Sequence, residues 1–73
     1  MSAIVALGER RRVEGFALAG VRVVPVEDRE AARAAWERLG AEVALVLLTA
    51  RARESLADLL PLRSDTIWTL IPD

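Results

Sequence analysis

Apolar residues along this 73-residue chain alternate between continuous short runs and helically spaced stripes. Ala3–Leu7 is an unbroken apolar run, suited to a strand buried on both faces, and Gly8 with the charged turn 9–12 stops it. From Arg11 to Ala19, the residues Val13, Phe16 and Ala17, and then Gly20, recur at helical spacing, which predicts a short first helix turned toward the sheet. Gly15 lies inside that helix, where glycine costs about 1 kcal/mol relative to alanine, so the expectation is that it permits close helix–strand approach. Val21–Val26 is rich in β-branched residues and reads as a second strand; Pro25 cannot donate to a ladder and pushes this strand to a sheet edge or ends it there.

The second half repeats the rhythm. Arg29–Leu39 reads as a helix with Asp28 as N-cap, Glu30 in its first turn, a buried stripe of Ala32, Ala35, Trp36 and Leu39, and Gly40 as its C′ residue. Glu42–Leu48 is the most hydrophobic segment and is expected at the centre of the sheet. Thr49 can cap a helix over Ala50–Leu60 that buries Leu56, Leu59 and Leu60 before Pro61 stops it, and Ser64–Ile71 reads as the last strand. The resulting βαβαβαβ order predicts one small α/β domain, Rossmann-like or receiver-like, over residues 1–73. Right-handed crossovers and the outward push on the second strand give a four-stranded parallel sheet of order 2-1-3-4 with helices on both faces.

Composition narrows what such a domain can do. A chain this short buries only about 60% of its extended surface, and with no cysteine it has neither disulfides nor thiolate metal ligands to compensate. Docking or self-association is the remaining route, in keeping with an apolar fraction of 53%. All ten basic residues are arginine, and lysine, histidine, tyrosine, asparagine and glutamine are missing as well. Most of the usual nucleophiles and proton carriers are therefore absent, which points away from an enzyme. The net charge of −1 gives no basic face for nucleic acid, no apolar run is long enough for a bilayer, and the charges follow the first apolar run rather than precede it, unlike a secretory signal. A cytoplasmic chain is expected.

In this fold class ligands bind beyond the carboxyl ends of the strands, where Gly8, Glu9, Arg10, Glu27, Asp28, Thr49, Ala50 and Arg51 should gather. A dinucleotide site would need further glycines directly after Gly8, and a P-loop would need a lysine; neither is present. A phospho-acceptor aspartate is missing after the third strand, which ends in Leu48-Thr49-Ala50. Glu9, Glu27 and Asp28 could in geometry approach a Mg²⁺, but read more simply as two solvated acids and a helix cap, so no metal and no cofactor are expected. Arg10, Arg11 and Arg12 open the first helix and Arg51 and Arg53 the third, while Arg29 opens the second. Cations there oppose the helix dipole. That rim reads as a solvated charge network, as a docking surface for an acidic partner, or as a small-anion site. Trp36 reads as core, and Trp68 either packs on the third helix or meets another chain through an uncovered edge strand.

The run Ile4-Val5-Ala6-Leu7-Gly8-Glu9, followed by Val13-x-Gly15-Phe16-x-Leu18-Ala19-Gly20-Val21, resembles the amino-terminal signature of the F subunits of V-type (A/V-type) rotary ATP synthases. The likeness continues more weakly through Val26-Glu27-Asp28 and 43–49 to Ile71-Pro72, so it spans nearly the whole chain. Two departures stand out: Arg10–Arg12 replace a turn that is polar or acidic in the family, and the helical carboxy-terminal extension of family members has no counterpart in these residues. The resemblance implies a non-catalytic, membrane-peripheral subunit contributing to the coupling of ATP turnover with proton or sodium transport. Its partner would be the elongated central-stalk subunit, met through Arg10, Arg11, Arg12, Arg51, Arg53 or Trp68, without membrane insertion. The rival reading is a stand-alone receiver-like interaction module that forms a homodimer, with the fourth strand as the pairing edge.

Overall fold

The structure, a computed structural model, describes residues 3–72. Four strands, β1 (Ala3–Gly8), β2 (Arg22–Pro25), β3 (Val43–Leu48) and β4 (Ile67–Leu70), form one parallel sheet of order β2-β1-β3-β4. Three α-helices connect them: α1 (Arg10–Val13), α2 (Arg29–Glu37) and α3 (Ala50–Leu56). The expected topology is therefore the observed one, with the Pro25-bearing strand at an edge and β1 and β3 in the centre. Pro25 lies opposite Gly8 at the end of the β1–β2 ladder, where the missing N–H interrupts nothing.

The register sorts side chains onto two faces. Val5, Leu7, Val46 and Leu48 lie side by side in the central strands and join Ala32, Ala35, Trp36, Leu39, Ala52, Leu56 and Leu60 in one hydrophobic cluster, with Val24 and Trp68 packed at its margins. This face carries α2 and α3, which also pack on each other. Ala6 and Val13 are equally buried yet stand outside that cluster, because they lie on the opposite face, Ala6 in β1 and Val13 in α1. The order 2-1-3-4 dictates this inequality. One right-handed crossover moves toward β2 and two move toward β4, so one helix covers the first face and two cover the second.

The first crossover departs from expectation. In place of a single helix over 11–19 there is one α-turn followed by a 3-10 segment, Glu14–Ala19, in which no residue is fully buried. Only Val13 anchors this segment fully; Phe16 is half-buried and Ala17 is exposed, so the expected stripe dissolves. Gly15 has no neighbour within 4 Å of an added Cβ, so it does not permit close packing as its position suggested. Gly20 is the glycine that the backbone needs here: it takes φ +81° and closes the segment with N–H bonds back to Ala17 O from Gly20 and to Phe16 O from Val21. Gly40, by contrast, does not adopt the left-handed conformation.

The other helices are shorter than their apolar stripes suggested. α2 ends at Glu37, and α3 gives way after Leu56 to a turn and a short 3-10 segment, Leu60–Leu62, around Pro61. Trp36 and Leu56 are buried, as the stripes required.

Candidate functional site

The rim at the carboxyl ends of the strands is assembled from helix caps. Asp28 accepts the Ala31 N–H at 2.8 Å and so caps α2. Thr49 caps α3 by accepting the Ala52 N–H at 3.2 Å, while its hydroxyl donates to the Glu9 carboxylate. Glu9 stands at the N-cap position of α1 without capping it; the first turn is served instead by Glu27, whose carboxylate accepts the Arg10 N–H at 3.0 Å. Each helix start thus receives a side-chain oxygen, and three of the rim's polar residues come from loops far apart in sequence.

Close approach makes this possible. A Cβ placed on Gly8 would lie 2.9 Å from Thr49 Cβ and closer still to its Oγ1 and Cγ2. Glycine at position 8 therefore lets Thr49 settle against the end of β1, where its hydroxyl reaches Glu9. Burial alone would raise the Glu9 pKa, but the Thr49 hydrogen bond, a backbone bond and the nearby Arg51 and Arg12 charges together hold it below its ordinary value.

At the centre of the rim, between Glu9, Asp28 and Arg51, these contacts leave little open space. The crevice lined by Glu9, Glu27, Asp28, Arg51 and Ser55 has a volume of about 10 Å³, enough for one water molecule. Among the described residues, no group of three or more acidic side chains is arranged to hold a metal ion. The place where this fold class ordinarily takes its ligand is occupied by the protein's own caps.

The six residues singled out for contact do not form one patch. Arg12 and Arg51 converge electrostatically on Glu9. Arg10 and Arg11 are exposed on α1, on the other side of the sheet from α3, and neither side chain takes part in an ion pair among the described residues. Arg53 stacks over Trp68 with its guanidinium carbon 5.8 Å from the ring centroid, and Trp68 is half-buried against the α3 side of the core. Trp68 therefore packs on its own domain and shows only part of its ring.

Two arginines that the sequence pattern did not distinguish organise the α2–α3 layer. Arg33 on α2 donates to both Asp58 carboxylate oxygens at 2.7 and 3.0 Å and to the Ser55 carbonyl at 3.1 Å, clamping the two helices together. Arg63 donates to the carbonyls of Trp36, at 2.8 Å, and of Leu39, and lies over the Trp36 ring, so it closes the end of α2. Both reach partners more than twenty residues away, which helical spacing cannot reveal.

The family model described as ATP synthase (F/14-kDa) subunit matches residues 4–72. The chain belongs to that family. The match begins in β1 and ends beyond β4, so all of the sheet but Ala3 and all three crossovers lie within it. Comparison with curated proteins and with solved structures gives no match. Membership of this family of ATP synthase (F/14-kDa) subunits makes the chain an accessory subunit whose partners are other subunits of an ATP synthase. Among the described residues no helix is long and apolar enough to cross a membrane.

Proposed function

We propose that the chain is a non-catalytic central-stalk component of a V-type rotary ATP synthase, helping to couple ATP turnover with proton or sodium transport. The family match over residues 4–72 carries this reading. The site geometry supports it, because the crevice where a catalytic or nucleotide-binding relative would hold its ligand is filled by the contacts of Glu9, Glu27, Asp28 and Thr49. A domain with that crevice closed contributes through its surface. The chain would then sit on the cytoplasmic side, peripheral to the membrane, bound to the elongated stalk subunit.

The test is direct association. Purified chain and the recombinant stalk subunit from the same organism should form a stoichiometric complex in size-exclusion chromatography. No complex at concentrations well above the micromolar range overturns the stalk reading. Charge reversal at Arg10, Arg11 and Arg12 examines whether the arginine turn contributes; unchanged association removes it from the contact surface.

The open outer edge of β4 favours one alternative, a homodimeric interaction module, since its outward N–H and C=O groups have no strand beside them. Sedimentation equilibrium distinguishes the two: a stable dimer weakened by Trp68→Lys supports the module, and a monomer at high concentration argues against it.

A further inference from the structure

α2 and α3 pack side by side, and together they border an open recess lined by Arg29, Arg51, Glu54 and Ser55. Arg29 is the first residue of α2, and Arg51 and Ser55 lie one turn apart on α3. The recess adjoins the closed crevice, with which it shares Arg51 and Ser55, yet its volume is far larger, about 290 Å³. Every residue on its wall is polar or charged, and both cations come from different helices.

The acids nearest these two arginines are engaged elsewhere. Arg29 lies close enough to Asp58, and Arg51 to Glu9, to act on those carboxylates. Asp58, however, takes both terminal nitrogens of Arg33, and Glu9 takes the Thr49 hydroxyl. Among the described residues, neither Arg29 nor Arg51 donates a side-chain hydrogen bond or forms an ion pair. Each therefore keeps open the planar fork of N–H donors that suits the oxygens of a phosphate. Like charges lining one recess repel, and an anion between them replaces that repulsion with attraction. The volume lies just under the roughly 300 Å³ at which pockets for organic ligands begin, and no aromatic or apolar side chain lines the wall to hold a nucleobase. The ligand that fits is a small oxyanion.

We propose that this recess is a binding site for a phosphate-class oxyanion, held between the Arg29 and Arg51 guanidiniums. The Ser55 hydroxyl, which donates to the Arg51 carbonyl at 3.2 Å, can turn to the anion as a further donor. Glu54 is the opposing charge on the wall and limits the affinity. The bound anion ties α2 to α3 beside the Arg33–Asp58 clamp, so phosphate stabilises the fold as the site fills. The site is independent of the stalk reading and survives its failure.

The experiment titrates the isotope-labelled full chain with sodium phosphate at constant ionic strength, set with chloride, and follows arginine Nε–H and backbone N–H resonances by NMR. Arg29, Arg51 and Ser55 should shift together and saturate, with a dissociation constant on the order of 1 mM. Arg29→Gln and Arg51→Gln, both at exposed positions, should each weaken binding at least about fivefold. Glu54→Gln should tighten it about two- to fivefold, a gain that a merely structural role does not produce. Arg38→Gln, at the far end of α2, should leave it within about twofold. Pyrophosphate and a nucleoside diphosphate should bind alike, since only the phosphoryl oxygens are held. Shifts that rise without saturating, appear equally with chloride alone, or survive both arginine substitutions overturn the site. A nucleoside diphosphate that binds more tightly than pyrophosphate overturns the small-anion assignment.

Discussion

The two sides of the sheet are built to different standards. On the α2–α3 side every device of a stable domain is present: two helices with side-chain caps from Asp28 and Thr49, a continuous apolar cluster around Trp36 and Leu56, and the Arg33–Asp58 clamp between the helices. On the α1 side a single α-turn is anchored by Val13, relies on Glu27 from another loop for its first N–H, and loosens into a 3-10 segment. The first side accounts for most of the hydrophobic stabilisation. The second leaves apolar strand surface and arginines open to solvent. A small domain whose stability is concentrated on one face can keep the other for a partner without unfolding in its absence.

The sharpest way to break this comparison is to cut into both cores. Leu56→Ala, at a fully buried position between α3 and the sheet, should destabilise by about 2–5 kcal/mol in urea unfolding. Val13→Ala removes less apolar volume from a thinner layer and should cost about 1.5–2 kcal/mol. Equal losses at the two positions would mean that the α1 layer is as integral to the core as the α2–α3 layer.

The hinge between the two sides is the contact of Gly8 with Thr49. Gly8→Ala forces a methyl group into Thr49 and should cost about 1–3 kcal/mol, as overpacking does. Thr49→Ala leaves the α3 N-terminus without its cap and removes the Glu9 hydrogen bond, for a loss of about 1 kcal/mol or somewhat more. The double variant should be less damaging than the sum, since alanine at position 49 vacates space that the new methyl needs. Additive losses in denaturant titrations would show that the two residues do not share one contact.

The clamp on the covered side can be examined with pH. Asp58 is held at a pKa of about 2 chiefly by the hydrogen bonds from Arg33, below its usual value. A carboxylate whose pKa is depressed on folding binds fewer protons folded than unfolded, so its contribution is complete above the unfolded pKa and fades as pH falls from about 4 to about 2. Asp58→Asn should remove that part of the acid dependence, so the variant and the unmodified chain converge in stability toward pH 2. The same slope in both would show that the clamp is broken in solution. The exposure of the pair keeps its effect small.

Much of this architecture is legible in the pattern of residues because it follows from local chemistry. The four strands, their order and the caps Asp28 and Thr49 come from apolar runs, one awkward proline and short polar residues at helix starts. The rim's character was not legible. Glu9 and Glu27 read as solvated acids and Arg51 as part of a charged rim until folding showed which oxygens the helix N-termini and Thr49 had taken. Arg33 and Arg63 are long side chains that reach across the tertiary structure, and no periodicity marks such residues. The thin cover over Leu45 and Leu47 was invisible for a similar reason: both look like core until the handedness of the crossovers puts α1 over β1 and β2 instead.

Gly15 is where pattern and structure disagree most directly, and it sharpens the contrast with Gly8. A glycine inside a predicted helix suggested tight packing on β1, yet an added Cβ there meets nothing within 4 Å and the backbone does not need a positive φ. Alanine can adopt the native conformation without strain and restricts the unfolded chain, so Gly15→Ala should stabilise by about 0.4–1 kcal/mol. The two glycine variants should thus move the unfolding midpoint in opposite directions, Gly8→Ala downward and Gly15→Ala upward. Should Gly15→Ala leave stability raised but weaken association with the stalk subunit, the looseness of 14–19 would itself belong to the docking surface. Should it destabilise, the α1 side is packed more tightly than its exposed backbone implies, and the division of labour between the two faces would have to be redrawn.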